Sequence, residues 1–208
     1  MIDFPMACLL HQRFSKDAFY KNIQLSPGLK ASFVTDIDKI YVEYGLSDSV
    51  LNLSVTSKIE EILFLQIILR EKEFNLKLIE TIARQNPHKL VFLLCYEDLM
   101  RIAIWQGKLY LSEWQTVEKT DLMLHGSSLD EIWDGFIEQI ALTEEQPGAQ
   151  TGLSVEDRLK RQERIRKLEQ SIEKTEAAAW KEKQPHKRFE LHQRVQKLKQ
   201  ELEDLKNG

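Results

Sequence analysis

Two nearly unbroken apolar runs, "ILFLQIIL" (62–69) and "KLVFLLCY" (89–96), stand on either side of an amphipathic stretch, and that order admits few folds. The first run is apolar throughout except at Gln66. A strand buries such a run only if both its faces are covered, so the run belongs at the centre of a sheet. Between the two, "EFNLKLIETIARQNP" sets Phe74, Leu78, Ile79 and Ile82 at helical spacing, and Asn86-Pro87 supplies a stop. Residues 60–96 therefore read as β–α–β, with a connection long enough for a parallel crossover.

The flanking segments extend this unit. "IDKIYVEYGL" alternates from Ile37 and is rich in β-branched and aromatic residues, which predicts a strand. Before it, Ser15 caps a short predicted helix over about 16–22, with Phe14, Phe19 and Ile23 on its apolar side. Ser26 and Pro27 open a second, over about 27–35, with Leu29 and Phe33 on one face. After the crossover, "LMRIAIWQGKLY" and "SEWQTVEKTDLML" predict two further strands, roughly 99–105 and 112–121, turning near Gly107-Lys108. "SSLDEIWDGFIEQIAL" predicts a helix capped by Ser128, with Glu131 closing a capping box. Its stripe of Leu129, Ile132, Trp133, Phe136, Ile137 and Ile140 is suited to lie on the sheet.

The stretch "TEEQPGAQTG" then carries Pro147, Gly148 and Gly152 with almost no apolar content, as a linker does. Three segments result: an α+β globular domain over 1–142, a linker over 143–153, and a helical hairpin over 154–208. The charge changes sign at the same place. Residues 1–153 carry 14 Lys+Arg against 22 Asp+Glu, whereas 154–208 carry 15 against 11. The overall −4 hides an acidic body and a basic tail.

Ser154 with Asp157 marks a helix start. From there Ile165, Leu168, Ile172, Thr175 and Ala179 recur at alternating steps of three and four; after a break, Leu191, Val195, Leu198, Leu202 and Leu205 do the same. Two apolar positions per heptad make a coiled-coil seam. Gln184-Pro185 separates the two runs, because proline removes a helical hydrogen bond and disfavours helix for the residue before it. The economical fold is an antiparallel hairpin, with an ascending helix over about 154–182 that is ~43 Å long. Near its base, Arg158, Lys160, Arg161, Arg164, Arg166 and Lys167 are expected to face Glu201, Glu203 and Asp204. At its far end, Lys181, Lys183, Lys187, Arg188 and Arg194 outnumber Glu182 and Glu190. Trp180 is expected to close that end, with Phe189 as its neighbour across the turn.

The order of these stretches resembles a bacterial and archaeal family, domain-of-unknown-function family 4391. The likeness rests on "FYKNIQLSPGLKASFVTDIDKIYVEYGLSDSVLNL", "IEEILFLQIILREK", the "LDEIWDGFIEQIAL" helix and the "KEKQPHKRFELHQRVQKLKQEL" tail. It spans about Phe14 to Leu205, so the hairpin falls within it. The resemblance implies a role among phage-defence genes, with a helicase or methyltransferase as a larger protein partner. It implies no catalytic residues.

The sequence has few arrangements that would force an enzyme reading. Its eight glycines form neither G-x-x-x-x-G-K nor G-x-G-x-x-G, and there is no G-x-S-x-G and no H-E-x-x-H. His11, His88, His125, His186 and His192 are scattered, and Cys8 and Cys95 show no zinc spacing. Neither a metal nor another cofactor is expected. The one nuclease-like pattern is "QIILREKE", where Glu71 and Glu73 flank Lys72 below Gln66, with Asp36, Asp38 and Glu43 on the earlier strand as partner acids. A solvated turn explains it more simply, as the outer face of a helix explains Asp130, Glu131, Asp134 and Glu138. No apolar run approaches the ~20 residues of a membrane span, and the N-terminus has no basic n-region ahead of an apolar one. The expectation is a cytoplasmic chain of α+β class: a mixed five-stranded sheet with flanking helices, followed by a C-terminal antiparallel coiled-coil hairpin. Its expected role is that of a non-enzymatic interaction subunit. Trp180, Lys181, Lys183, Lys187 and Arg188 form the contact surface, for a protein partner or for nucleic acid. The alternatives are a degenerate Mg-dependent nuclease and self-association through the hairpin seam of Ile165, Leu168, Ile172, Leu191, Val195, Leu198, Leu202 and Leu205.

Overall fold

In the computed structural model, which describes residues 2–15, 23–53, 57–142 and 152–207, seven strands form one mixed sheet. They are β1 (Leu9–Phe14), β2 (Ile37–Leu46), β3 (Ile62–Leu69), β4 (Lys89–Tyr96), β5 (Leu99–Gln106), β6 (Lys108–Leu111) and β7 (Gln115–Thr116). Their spatial order is β1-β2-β3-β4-β5-β6, with β7 paired to β5. Four α-helices accompany them among the described residues: α1 (Pro27–Asp36), α2 (Asp48–Leu51), α3 (Leu76–Gln85) and α4 (Leu129–Ala141). The two apolar runs are the central pair, β3 and β4, and they are parallel, joined through α3. Every other pairing is antiparallel.

The two faces of the sheet bury different partners. Leu65 and Ile67 of β3 and Phe92 and Leu94 of β4 point to one side, where Leu78, Ile79 and Ile82 of α3 and Phe33 of α1 complete the cluster. On the other side Phe64 meets Phe4 edge-on at 5.1 Å and Phe136 of α4 edge-on at 5.6 Å. The period of two within β3 thus divides one apolar run between two half-cores.

The sheet has seven strands where the sequence predicts five. β1 carries no clean alternation, because a register slip between Leu9 and Gln12 breaks its period. The strand predicted over 112–121 shrinks to the two-residue β7, while β6 forms just before it, directly after the turn at Gly107. After Thr116 the chain turns on itself: the amides of Lys119 and Thr120 both donate to the Thr116 carbonyl, which withdraws them from any ladder. The short helix α2 is capped by Ser47, whose hydroxyl accepts from the Val50 amide. The helix predicted over 16–22 and most of the predicted linker lie outside the described residues.

α4 begins as its sequence predicts, with one shift. The Ser128 hydroxyl accepts from the Glu131 amide at 3.2 Å. Glu131, however, reaches back to the amide and hydroxyl of Ser127, at 2.7 and 2.9 Å, and these bonds hold its carboxyl below the ordinary carboxylate range. That reach requires a close backbone approach at Gly126. Its φ is +136°, and a Cβ there would stand 2.7 Å from the Glu131 Cβ. Gly126→Ala is accordingly expected to cost ~1–3 kcal/mol. An unchanged urea midpoint would refute the close approach.

The chain divides into two compact units, Met1–Thr143 and Glu144–Gly208. The second holds two helices, α5 (Val155–Lys181) and α6 (Pro185–Asn207), packed against each other.

Candidate interface at the hairpin tip

Local signals place both ends of α5. The Ser154 hydroxyl accepts from the Asp157 amide at 3.1 Å, and Glu156 and Asp157 complement the helix dipole in the first turn. At the far end Glu182 leaves the helical region, its own amide donating to Ala178 O at 3.1 Å. The Glu182 carboxylate then accepts from the Gln184 amide at 2.8 Å. Pro185 opens α6 at a position where its missing N–H costs nothing.

The heptad positions face the partner helix. Leu168, Ile172, Ala179 and Val195 are buried; Ile165, Leu191, Leu198, Leu202 and Leu205 are half-buried. Polar pairs flank this seam: Arg164–Glu201 at 2.7 Å, Glu169–Lys206 at 2.8 Å and Glu176–Lys199 at 2.8 Å. Arg161 donates twice to the Leu205 carbonyl, at 3.0 and 2.6 Å, and so satisfies the end of α6. Such exposed pairs contribute only ~0.2–1 kcal/mol each, but they favour the antiparallel register. Of the basic cluster expected to face Glu201, Glu203 and Asp204, Arg164 does so by ion pair with Glu201. Lys160 and Lys167 pair within α5, with Glu156 and Glu163. A lysine at i+4 from a glutamate finds that carboxylate on its own helix face first.

The tip differs from the base. Among the described residues, Lys181, Lys183, Lys187, Arg188 and Arg194 make no ion pair; the one tip pair is His186–Glu190 at 3.4 Å, within α6. Trp180 does not close the hairpin. Its side chain is 85% exposed, and the fully buried Ala179 takes the seam position. Steps of three and four from Ile172 land on residue 179, and the next residue points ~100° away. Trp180 and Phe189, itself 62% exposed, flank one open cavity of about 520 Å³, with Arg188, His192 and Pro185 on its walls. The side chains predicted as a contact surface are therefore solvent-facing and gathered at one turn.

The nuclease-like pattern resolves into local structure. Asp36 accepts from the Asn75 amide at 3.3 Å, Asp38 pairs with Arg70 at 3.2 Å, and Lys72 lies over the Trp114 ring at 5.7 Å. Glu71 and Glu73 are exposed on the turn after β3, and the Gln66 amide donates to Cys95 Sγ at 3.7 Å. Among the described residues no three His, Cys, Asp or Glu side chains gather as a metal site. Of the α4 acids, Asp130 accepts from the Lys58 amide at 2.7 Å. Burial, helped by Glu138 and Asp130, raises the Asp134 carboxyl above its usual range. Burial likewise pushes the Cys95 thiol up to about 11, so it is an inert core group. No helix among the described residues is long and apolar enough to cross a membrane.

A family model, described as Domain of unknown function (DUF4391), matches residues 2–202. The chain belongs to this family. The DUF4391 match runs from the first residues of the sheet unit almost to the end of α6, so the hairpin and its tip are part of what defines the family. No curated protein and no solved structure matches the chain.

Proposed function

We propose that this protein is an interaction subunit whose hairpin tip binds single-stranded nucleic acid. The observation that carries the reading is a tryptophan 85% exposed among five cations that have no carboxylate partner within the described residues. Unpaired cations track a phosphate backbone, and an exposed indole stacks on bases of any sequence. An acidic protein surface would satisfy the charges but leave Trp180 and Phe189 unused. The sheet unit, whose stretch of sequence is acidic, is then the part held by a larger protein of a defence or nucleic-acid-processing assembly.

Fluorescence anisotropy with a labelled oligonucleotide tests this. Binding should weaken as salt rises from about 50 to 200 mM, with a log–log slope approaching −3.5 if all five cations engage. Lys181→Glu with Lys187→Glu should abolish binding at the higher salt. Trp180→Ala should cost ~1–3 kcal/mol while leaving the salt slope intact. Salt-independent binding, or binding indifferent to the charge reversal, overturns the proposal in favour of a protein partner. Mg-dependent cleavage of the probe would instead favour the nuclease reading.

A further inference from the structure

His11 stands alone in the sequence, but the fold gives it two partners. Its Nδ1 lies 2.8 Å from Glu43 Oε2, and its ring stacks on Tyr41 with centroids 5.2 Å apart and planes 12° apart. Two neighbouring irregularities bring these groups together. The β1–β2 register slips between Leu9 and Gln12, and the β2–β3 register slips between Val42 and Tyr44. His11 sits within the first slip with φ +44°, and Glu43 is the residue skipped in the second. A left-handed histidine costs on the order of 1 kcal/mol and persists only where its surroundings impose it. Bulges of this kind re-aim side chains.

The contacts fix the ring. An ionised carboxylate only accepts, so Nδ1 carries a proton, and in the neutral imidazole Nε2 then presents a lone pair. The His11 side chain is 63% exposed and that of Glu43 15%, so the carboxylate backs the ring and Nε2 fronts the solvent. Arg13 lies directly opposite Tyr41 on β1, and Gln66 directly opposite it on β3. Opposed residues share a face with Cβ atoms ~5 Å apart. Phe14, Ile40 and Ile67, one step along each strand, go to the core on the other face. Arg13 is exposed and makes no ion pair among the described residues.

We propose that His11, Arg13 and Tyr41 form a binding site for inorganic phosphate on the bulged edge of the sheet. Inorganic hydrogen phosphate complements the patch: an anionic oxygen accepts from the Arg13 guanidinium, and its protonated oxygen donates to Nε2. A carboxylate ligand has no proton to offer Nε2 at neutral pH, and a cation is repelled by Arg13. The site shares no residue with the hairpin tip, so either can fail without the other.

The test is NMR on the full chain with inorganic phosphate, sulfate and adenosine monophosphate as probes. Imidazole nitrogen shifts at mildly alkaline pH should report the Nδ1–H form for His11, reverting to the Nε2–H form in Glu43→Ala. Inorganic phosphate should shift His11 and Tyr41 saturably. Sulfate, which lacks the proton, and the Arg13→Gln variant should each weaken the effect about tenfold. Adenosine monophosphate, a dianion without that proton at this pH, should bind no better than sulfate; binding as tight as that of inorganic phosphate overturns the contact to Nε2. An Nε2–H His11 in the unaltered chain, a response without saturation, or one unchanged in Arg13→Gln overturns the proposal.

Discussion

Replacing Phe64 by alanine is expected to lower the unfolding free energy by about 3–5 kcal/mol, the range for a buried aromatic whose cavity cannot close. Phe64 is fully buried on a central strand. Phe4, Phe136 and Tyr44 all meet its ring edge-on, with centroids at 5.1, 5.6 and 5.9 Å. Phe4 comes from the N-terminal segment and Phe136 from α4, so one ring ties both to the sheet. Collapse of the cavity would require β3 to leave its ladder with β2 or β4, which the flanking pairs resist. Each edge-on contact adds ~0.5–1.5 kcal/mol beyond area. Urea denaturation measures the change, with the m-value unaltered if the denatured state is untouched. Val34→Ala, at a side chain more than half exposed, should stay within ~0.5 kcal/mol. A Phe64→Ala change below ~1 kcal/mol would mean that α4 does not pack on this face.

The contrast between Phe64 and His11 shows which parts of this fold are written locally. β3, α3 and β4 are legible because their periods are clean: continuous apolar strands on either side of a helical stripe. The caps at Ser26, Ser128 and Ser154 are legible because each acts within three residues. β1 is not legible, since its alternation is interrupted by the same bulge that turns His11 toward Glu43. The pairing of residues 11 and 43 depends on strand order and on two register slips, neither of which leaves a periodic mark. At the hairpin the seam could be read but the aim of Trp180 could not be assumed. The heptad count assigns position 179 to the interior, and the size of the indole invites the opposite guess.

The second large effect concerns the hairpin. Ile172→Asp is expected to unfold α5 and α6 together. Ile172 is buried in the seam near Leu168, one of four buried seam side chains, and most of the remaining seam is only half-buried. Helices of 27 and 23 residues, rich in charge and held by so narrow a stripe, are marginal apart. An unpaired carboxylate in that stripe costs several kcal/mol, more than the flanking surface pairs return. The two helices contain more than half of the helical residues described, so ellipticity at the helix minimum should fall by about half. Ile172→Val, which removes one methylene, should cost ~0.5–1.5 kcal/mol and keep the signal. The variant also separates fold from contact: every tip cation is retained, so nucleic-acid affinity that vanishes with the helix signal shows that the tip needs its geometry. Affinity that survives unfolding reduces the tip to its charge, and an undiminished helix signal refutes the seam itself.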